Sequence, residues 1–112
     1  MQESPIFAKT YDFIKWTHPA HSIKFPRHQR FVIAQAMQQS ALNLQERLIE
    51  AVRLPNPVGN LRAADVELDK LRFYLRLSAD LGYMSLEQQR HAGQMLIEIG
   101  KMLGSWQKKN SP

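Results

Sequence analysis

The chain contains no cysteine, which excludes disulfides and thiolate metal sites. It has no apolar run near the ~18 residues that a membrane span requires. Its first ten residues, MQESPIFAKT, lack the basic-then-apolar layout of a signal peptide. A cytoplasmic protein is expected. Acids are scarce over two intervals: none lies between Asp12 and Glu46, and none after Glu98. The first interval holds Lys15, Lys24, Arg27 and Arg30 with His18, His21 and His28; the second holds Lys101, Lys108 and Lys109. Catalytic motifs are missing too. There is no Gly-rich phosphate loop, no GxSxG and no HExxH. No Glu has a His three residues on, as a di-iron bundle needs. His18 and His21 flank Pro19, which works against a shared helical face, and His91 reads as a surface residue. Neither enzyme activity nor a metal, cofactor or small-molecule substrate is expected.

What is present describes a compact basic protein. A chain of 112 residues fits one domain, 1–112, and buries roughly 65% of the surface its unfolded form exposes. Hydrophobic residues make up 44% and charged residues 22%, the balance of a globular chain. The net charge of +5 and pI of about 9.8 favour acidic partners, nucleic acid first among them.

Pro19, Pro26, LPNPVGN (54–60) and LGYMS (81–85) divide the chain into four helical segments. Residues 61–81 have the cleanest period: Leu61, Ala64, Leu68, Leu71, Leu75 and Ser78 make a heptad seam. Asn60 reads as its N-cap and Gly82 as its C′ residue. Ser85 and Gln88 have capping-box spacing at the start of a last helix over about 86–107. On that helix Gly93, Gly100 and Gly104 share a face with Leu86, Arg90 and Ile97. Interior glycine costs ~1 kcal/mol against alanine, so the stripe implies close approach of another helix backbone. A second helix over about 27–54 repeats Phe31, Ala34, Met37, Ala41, Leu44, Leu48 and Ala51, and would be ~42 Å long. A first helix over about 4–23 begins at Ser4-Pro5 and places Phe7, Tyr11, Ile14 and His18 on one side. Four such helices with short connections predict an all-α, antiparallel up-down-up-down four-helix bundle. The third helix carries a second apolar stripe, Val66, Phe73, Leu77 and Leu81. Either the first helix covers it or another copy of the chain does.

The same topology gathers charge. KFPRHQRF (24–31) opens the second helix with cations, although a helix N-terminus favours anions. In an antiparallel bundle this end meets the end of helix three and the start of helix four. Lys24, Arg27, His28, Arg30, Arg76, Arg90 and His91 then face only Asp80 and Glu87, and Arg27 or Arg30 can pair with one of these two. An external phosphate or carboxylate would complete the end. On helix three, Arg62, Asp65, Asp69, Arg72 and Arg76 form a polar face in which Asp69 can pair with Arg72 and Asp80 with Arg76.

KFPRHQRF, LDKLRFYLRLSADLGYMS and LIEIGKMLGSW, in this order and spacing, resemble the accessory variability determinant (Avd) proteins of diversity-generating retroelements. The similarity runs from TYDFIKW (10–16) to Trp106. The Phe25-Pro26 to Arg30-Phe31 element is also similar to four-helix-bundle proteins of ribosomal RNA intervening sequences. The Avd resemblance implies a four-helix bundle that assembles as a barrel-shaped homopentamer and has no catalytic activity. It also implies binding to the retroelement's reverse transcriptase and to RNA, with DNA a further candidate, in support of mutagenic copying of a template-repeat RNA. The basic positions in the matched stretches are Arg27, Arg30, Arg72, Arg76 and Lys101; Lys24 and Arg90 join them by topology. The alternative function is a basic, self-assembling bundle of the intervening-sequence type with no reverse-transcriptase partner.

Overall fold

The computed structural model describes residues 4–17 and 29–110, without the side chains of residues 29–31. Four helices follow one another: α1 (Pro5–Trp16), α2 (Gln29–Arg53), α3 (Val58–Asp80) and α4 (Leu86–Lys109). They form the expected antiparallel bundle, 45 Å in its longest dimension. Each helix touches two neighbours: α2 lies between α1 and α3, and α4 between α3 and α1.

The caps explain most boundaries. α3 ends in a Schellman turn. Gly82 takes φ +75°, the Tyr83 N–H donates to Ser78 O (2.8 Å), and the Gly82 N–H donates to Ala79 O (3.0 Å). Three residues later Ser85 Oγ accepts from the Gln88 N–H (3.1 Å), while the Ser85 N–H donates to Gln88 Oε1 (2.9 Å). That capping box starts α4 where its sequence predicts. The start of α3 differs from expectation. The helix begins at Val58, leaving Asn60 inside it, because Pro57 already holds helical dihedrals and the Asn56 side chain accepts from the Val58 N–H (3.1 Å). α1 is shorter than the predicted 4–23 span. It stops at Trp16, where the Thr17 hydroxyl donates to Ile14 O (2.7 Å). α2 is described from Gln29, and its predicted start near residue 27 lies outside the described residues. Pro19 and Pro26 lie outside the described residues.

The α3 seam is buried along its whole length, from Leu61 to Ser78, together with Met37, Ala41, Leu44, Leu48 and Ala51 of α2. Each fully buried leucine contributes ~1.5–3 kcal/mol over leaving it in water. α1 is rotated from the expected face. Its buried side is Ile6, Thr10, Phe13 and Thr17, with Phe7 and Ile14 on the flanks and Tyr11 57% exposed. Two threonines in the true seam disguise it, since a polar residue interrupts the apolar period. On α4 the buried side is Ala92, Met95, Leu96, Ile99 and Leu103, and Leu86 and Ile97 point outward.

The glycine stripe does not mark a backbone-to-backbone contact within the protomer. A Cβ at Gly93 or Gly104 would meet nothing within 4 Å. At Gly100 it would come within 2.7 Å of Arg72 Nη2, the mobile end of a side chain rather than another helix. The same substitution therefore has opposite signs at two glycines. Gly104→Ala is expected to raise stability by ~0.5–1 kcal/mol through the unfolded chain and helix propensity. Gly82→Ala should lower it by ~1 kcal/mol, because an L side chain is strained at positive φ. Urea midpoints at unchanged slope measure both.

Candidate interaction surface

The antiparallel order gives the bundle two chemically distinct ends. One holds the end of α1, the start of α2, the end of α3 and the start of α4. Arg76 projects there, with its side chain 84% exposed and its Nε 3.9 Å from Asp80 Oδ2, so the pair is loose. Arg90 is exposed on the first turns of α4 and forms no ion pair with a described carboxylate. Lys15 lies 3.5 Å from Asp12 and 4.8 Å from the centroid of the Tyr11 ring. Lys24, Arg27, His18, His21 and His28 lie outside the described residues. Arg30 is in the first turn of α2, and its side chain is not described. The predicted cationic surplus at this end rests on those residues, since the described cations Lys15, Arg76 and Arg90 are matched in number by Asp12, Asp80 and Glu87.

Arg72 has a structural engagement that the sequence did not disclose. Its Nη1 donates to Asp69 Oδ1 (2.8 Å), as helical spacing predicts. Its Nη2 lies against the bare backbone of Gly100. The guanidinium thus spans from α3 to α4, and Gly100 makes room for it. The residue remains half-exposed, so the arrangement leaves part of the guanidinium open to solvent.

The other end holds the starts of α1 and α3 and the ends of α2 and α4. Arg53, Arg62, Lys101, Lys108 and Lys109 are exposed in these segments. None forms an ion pair within 4 Å with a described carboxylate. Two of the nearby acids are engaged elsewhere, Glu50 with Arg47 (3.0 Å) and Glu98 with Lys9 (2.8 Å), while Asp65, one turn from Arg62, forms no ion pair with a described cation. Of these five cations only Lys101 stood out as a candidate from sequence. The absence of any acid after Glu98, visible in the sequence, marks Lys108 and Lys109 as well. A groove of about 470 Å³ opens beside them between the start of α1 and the end of α4. Phe7 and Trp106 line it, their ring centroids 6.4 Å apart at 57°.

The Lys9–Glu98 pair ties α1 to α4. A hydrogen bond from Lys9, then one from Gln94, holds the Glu98 carboxyl below its ordinary pKa, and Lys101 adds a smaller attraction. The hydrogen bond to Glu98, with its charge, raises the Lys9 ammonium above its ordinary value. The Glu98 contribution is present above its unfolded-state pKa and fades as pH falls through the depressed folded value. The Lys9 contribution is present below its unfolded-state pKa and fades as pH rises through the raised one. Glu98→Gln should therefore lower the melting temperature at neutral pH, with the difference from wild type vanishing in acid below the carboxylate range. Thermal melts across pH check this.

Among the described residues, no group of three His, Asp or Glu side chains is placed to hold a metal ion, and no helix is long and apolar enough to cross a membrane. No curated protein matches the chain. A family profile, bAvd-like, matches residues 5–110, which takes in all four helices. With the bundle, the capped α3–α4 turn and the three motif stretches, that match assigns the chain to the bAvd-like family, the accessory variability determinant proteins.

Proposed function

We propose that this protein is a non-enzymatic accessory factor of a diversity-generating retroelement. In this reading it binds the element's reverse transcriptase and nucleic acid in the cytoplasm, and supports mutagenic copying of a template-repeat RNA. The observation that carries the proposal is the family match over residues 5–110.

Two surface features support the physical side of the reading. The first is the outer stripe of α3. Val66 is 51% exposed, Phe73 59% and Leu81 50%, and α1 packs on α2 and α4 rather than over them. Coverage by the first helix is thus excluded among the described residues. An apolar stripe of this length on a small charged protein fits a protein–protein contact. The proposed assembly is a homo-oligomer, a pentamer in keeping with the family resemblance. A five-fold ring needs two different faces in contact, one from each neighbour. The α3 stripe is offered as one of them.

The second feature is the set of cations without carboxylate partners at both ends of the bundle, among them Arg90 and Lys101. Together with Lys24, Arg27, Arg30, Arg72 and Arg76 they supply the positive surface for RNA or for an acidic patch on the polymerase. Contacts to phosphate release counterions, so RNA affinity should fall with salt, by roughly 0.7 in logarithmic slope per contact for a single strand. Arg76→Gln combined with Arg90→Gln is expected to weaken binding about equally for different RNA sequences and to flatten that slope, with the fold intact because both side chains are exposed.

This reading predicts a reverse transcriptase and a template repeat encoded beside the gene, and the direct test is reconstitution with that enzyme and that RNA. The expected result is a stable complex and complementary-DNA synthesis that requires this protein. Copying at full yield and mutation frequency in its absence would overturn the proposal. An assembled, basic bundle with no polymerase contact would point to the intervening-sequence type of protein.

A further inference from the structure

We propose that the groove between the start of α1 and the end of α4 binds one nucleotide of a single strand, its base against Trp106 and its phosphate at Lys109. This rests on the nucleic-acid arm of the proposed function and gives that arm a place.

The groove brings together three things that a nucleotide uses. Its apolar wall comes from Ile6, Phe7, Val52, Met102 and Trp106. The indole is half-buried and tilted against Phe7, so it is held in position while still lining open space. Aromatic surface of this kind stacks any base, which makes the contact tolerant of sequence. The polar rim comes from Ser4, Ser105, Lys109 and Asn110. Asn110 is anchored there, its Nδ2 donating to Trp106 O (3.0 Å). Ser4 stands at the N-cap of α1, yet its hydroxyl caps nothing and no acid occupies the first turn. Among the described residues, no side chain neutralises the positive end of that helix where it faces the groove. At about 470 Å³ the groove has room for a base with its sugar.

Charge selects the occupant. Lys101 and Lys108 follow on α4 two turns apart, about 10 Å along the axis, and Arg53 and Arg62 flank the same end from α2 and α3. None pairs with a described carboxylate. A single carboxylate of a protein ligand would engage Lys109 alone. A repeating anion seated at Lys109 has further cations to meet at the same end of the bundle. Bases in a duplex are already stacked on both faces, so only an unpaired strand can present one to the indole.

The test uses the full chain carrying Trp16→Phe, which leaves Trp106 as the only indole; Trp16 stacks on Phe13 near the opposite end. A short oligouridine, an oligothymidine and a duplex of the same length are titrated, with tryptophan fluorescence and the anisotropy of a labelled strand read together. The single strands are expected to quench Trp106 in step with binding, and the duplex is not. Trp106→Leu should weaken single-strand binding about tenfold. Lys109→Gln should flatten the salt slope by about 0.7. Because Trp106 also packs on Phe7, Ser105→Glu serves as a second variant: Ser105 is exposed, the fold should survive, and the added anion should abolish quenching. Strands that bind without quenching and are indifferent to Lys109→Gln and Ser105→Glu would overturn this inference and leave nucleic-acid binding standing elsewhere on the surface. Absence of binding to every oligonucleotide would overturn both the inference and the nucleic-acid arm. Displacement of the strands from Trp106 by an acidic peptide that binds more tightly would mark the groove as a protein site and overturn the inference alone.

Discussion

The burial of one face of α3 is the constraint on which the rest depends. Leu61, Ala64, Leu68, Leu71, Leu75 and Ser78 are in the core at once, between α2 on one side and α4 on the other. A helix in a four-membered ring has only two neighbours, and α1 stands diagonally across from α3. Once the seam is buried, nothing within the described protomer reaches the opposite side, where Val66, Phe73 and Leu81 remain half or more exposed. The same packing fixes the orientation of Arg72, which leaves the seam's edge and crosses to Gly100 on α4. Core formation and the exposed stripe are thus two consequences of one helix having more apolar circumference than a bundle can absorb.

Antiparallel order then sorts the charges. Each end of the bundle gathers one end of every helix, so a cation near one terminus shares that end with cations that are distant in sequence. Arg53 and Arg62 are separated by the α2–α3 turn, and Lys101, Lys108 and Lys109 arrive from α4. All five lie toward the same end of the bundle, with Lys109 beside the start of α1. The lone cross-helix ion pair among the described residues, Lys9 with Glu98, consumes the last acid of the chain at the edge of that region. What remains is positive and open.

Features governed by neighbours in sequence were legible before any coordinates. The α3 seam, the glycine that closes α3 and the Ser85–Gln88 box all obey local rules, and all appear where those rules put them. Features governed by distant neighbours were not. The glycine stripe on α4 implied a close helix, but glycine is equally silent when its surroundings are open, as at Gly93 and Gly104. The core face of α1 was misplaced because Thr10 and Thr17 are buried in it. Asn60 looked like a cap because a favourable N-cap type stood one turn too late, behind Pro57 and Asn56. Of the candidate cations, Arg72, Arg76, Arg90 and Lys101 are placed on the surface, whereas Lys24 and Arg27 lie outside the described residues. The groove at Trp106 had no sequence signature, since Phe7 and Trp106 meet only when the first and last helices pack side by side.

The central claim is that the bundle is a building block, with the outer stripe of α3 as a contact between copies. Sedimentation velocity over micromolar concentrations measures this most directly, with Phe73→Asp run beside the unchanged protein. The account predicts a species of about five times the 13.0 kDa protomer, and a shift to smaller species in the variant without loss of helix signal. A 13.0 kDa monomer at every concentration would contradict it.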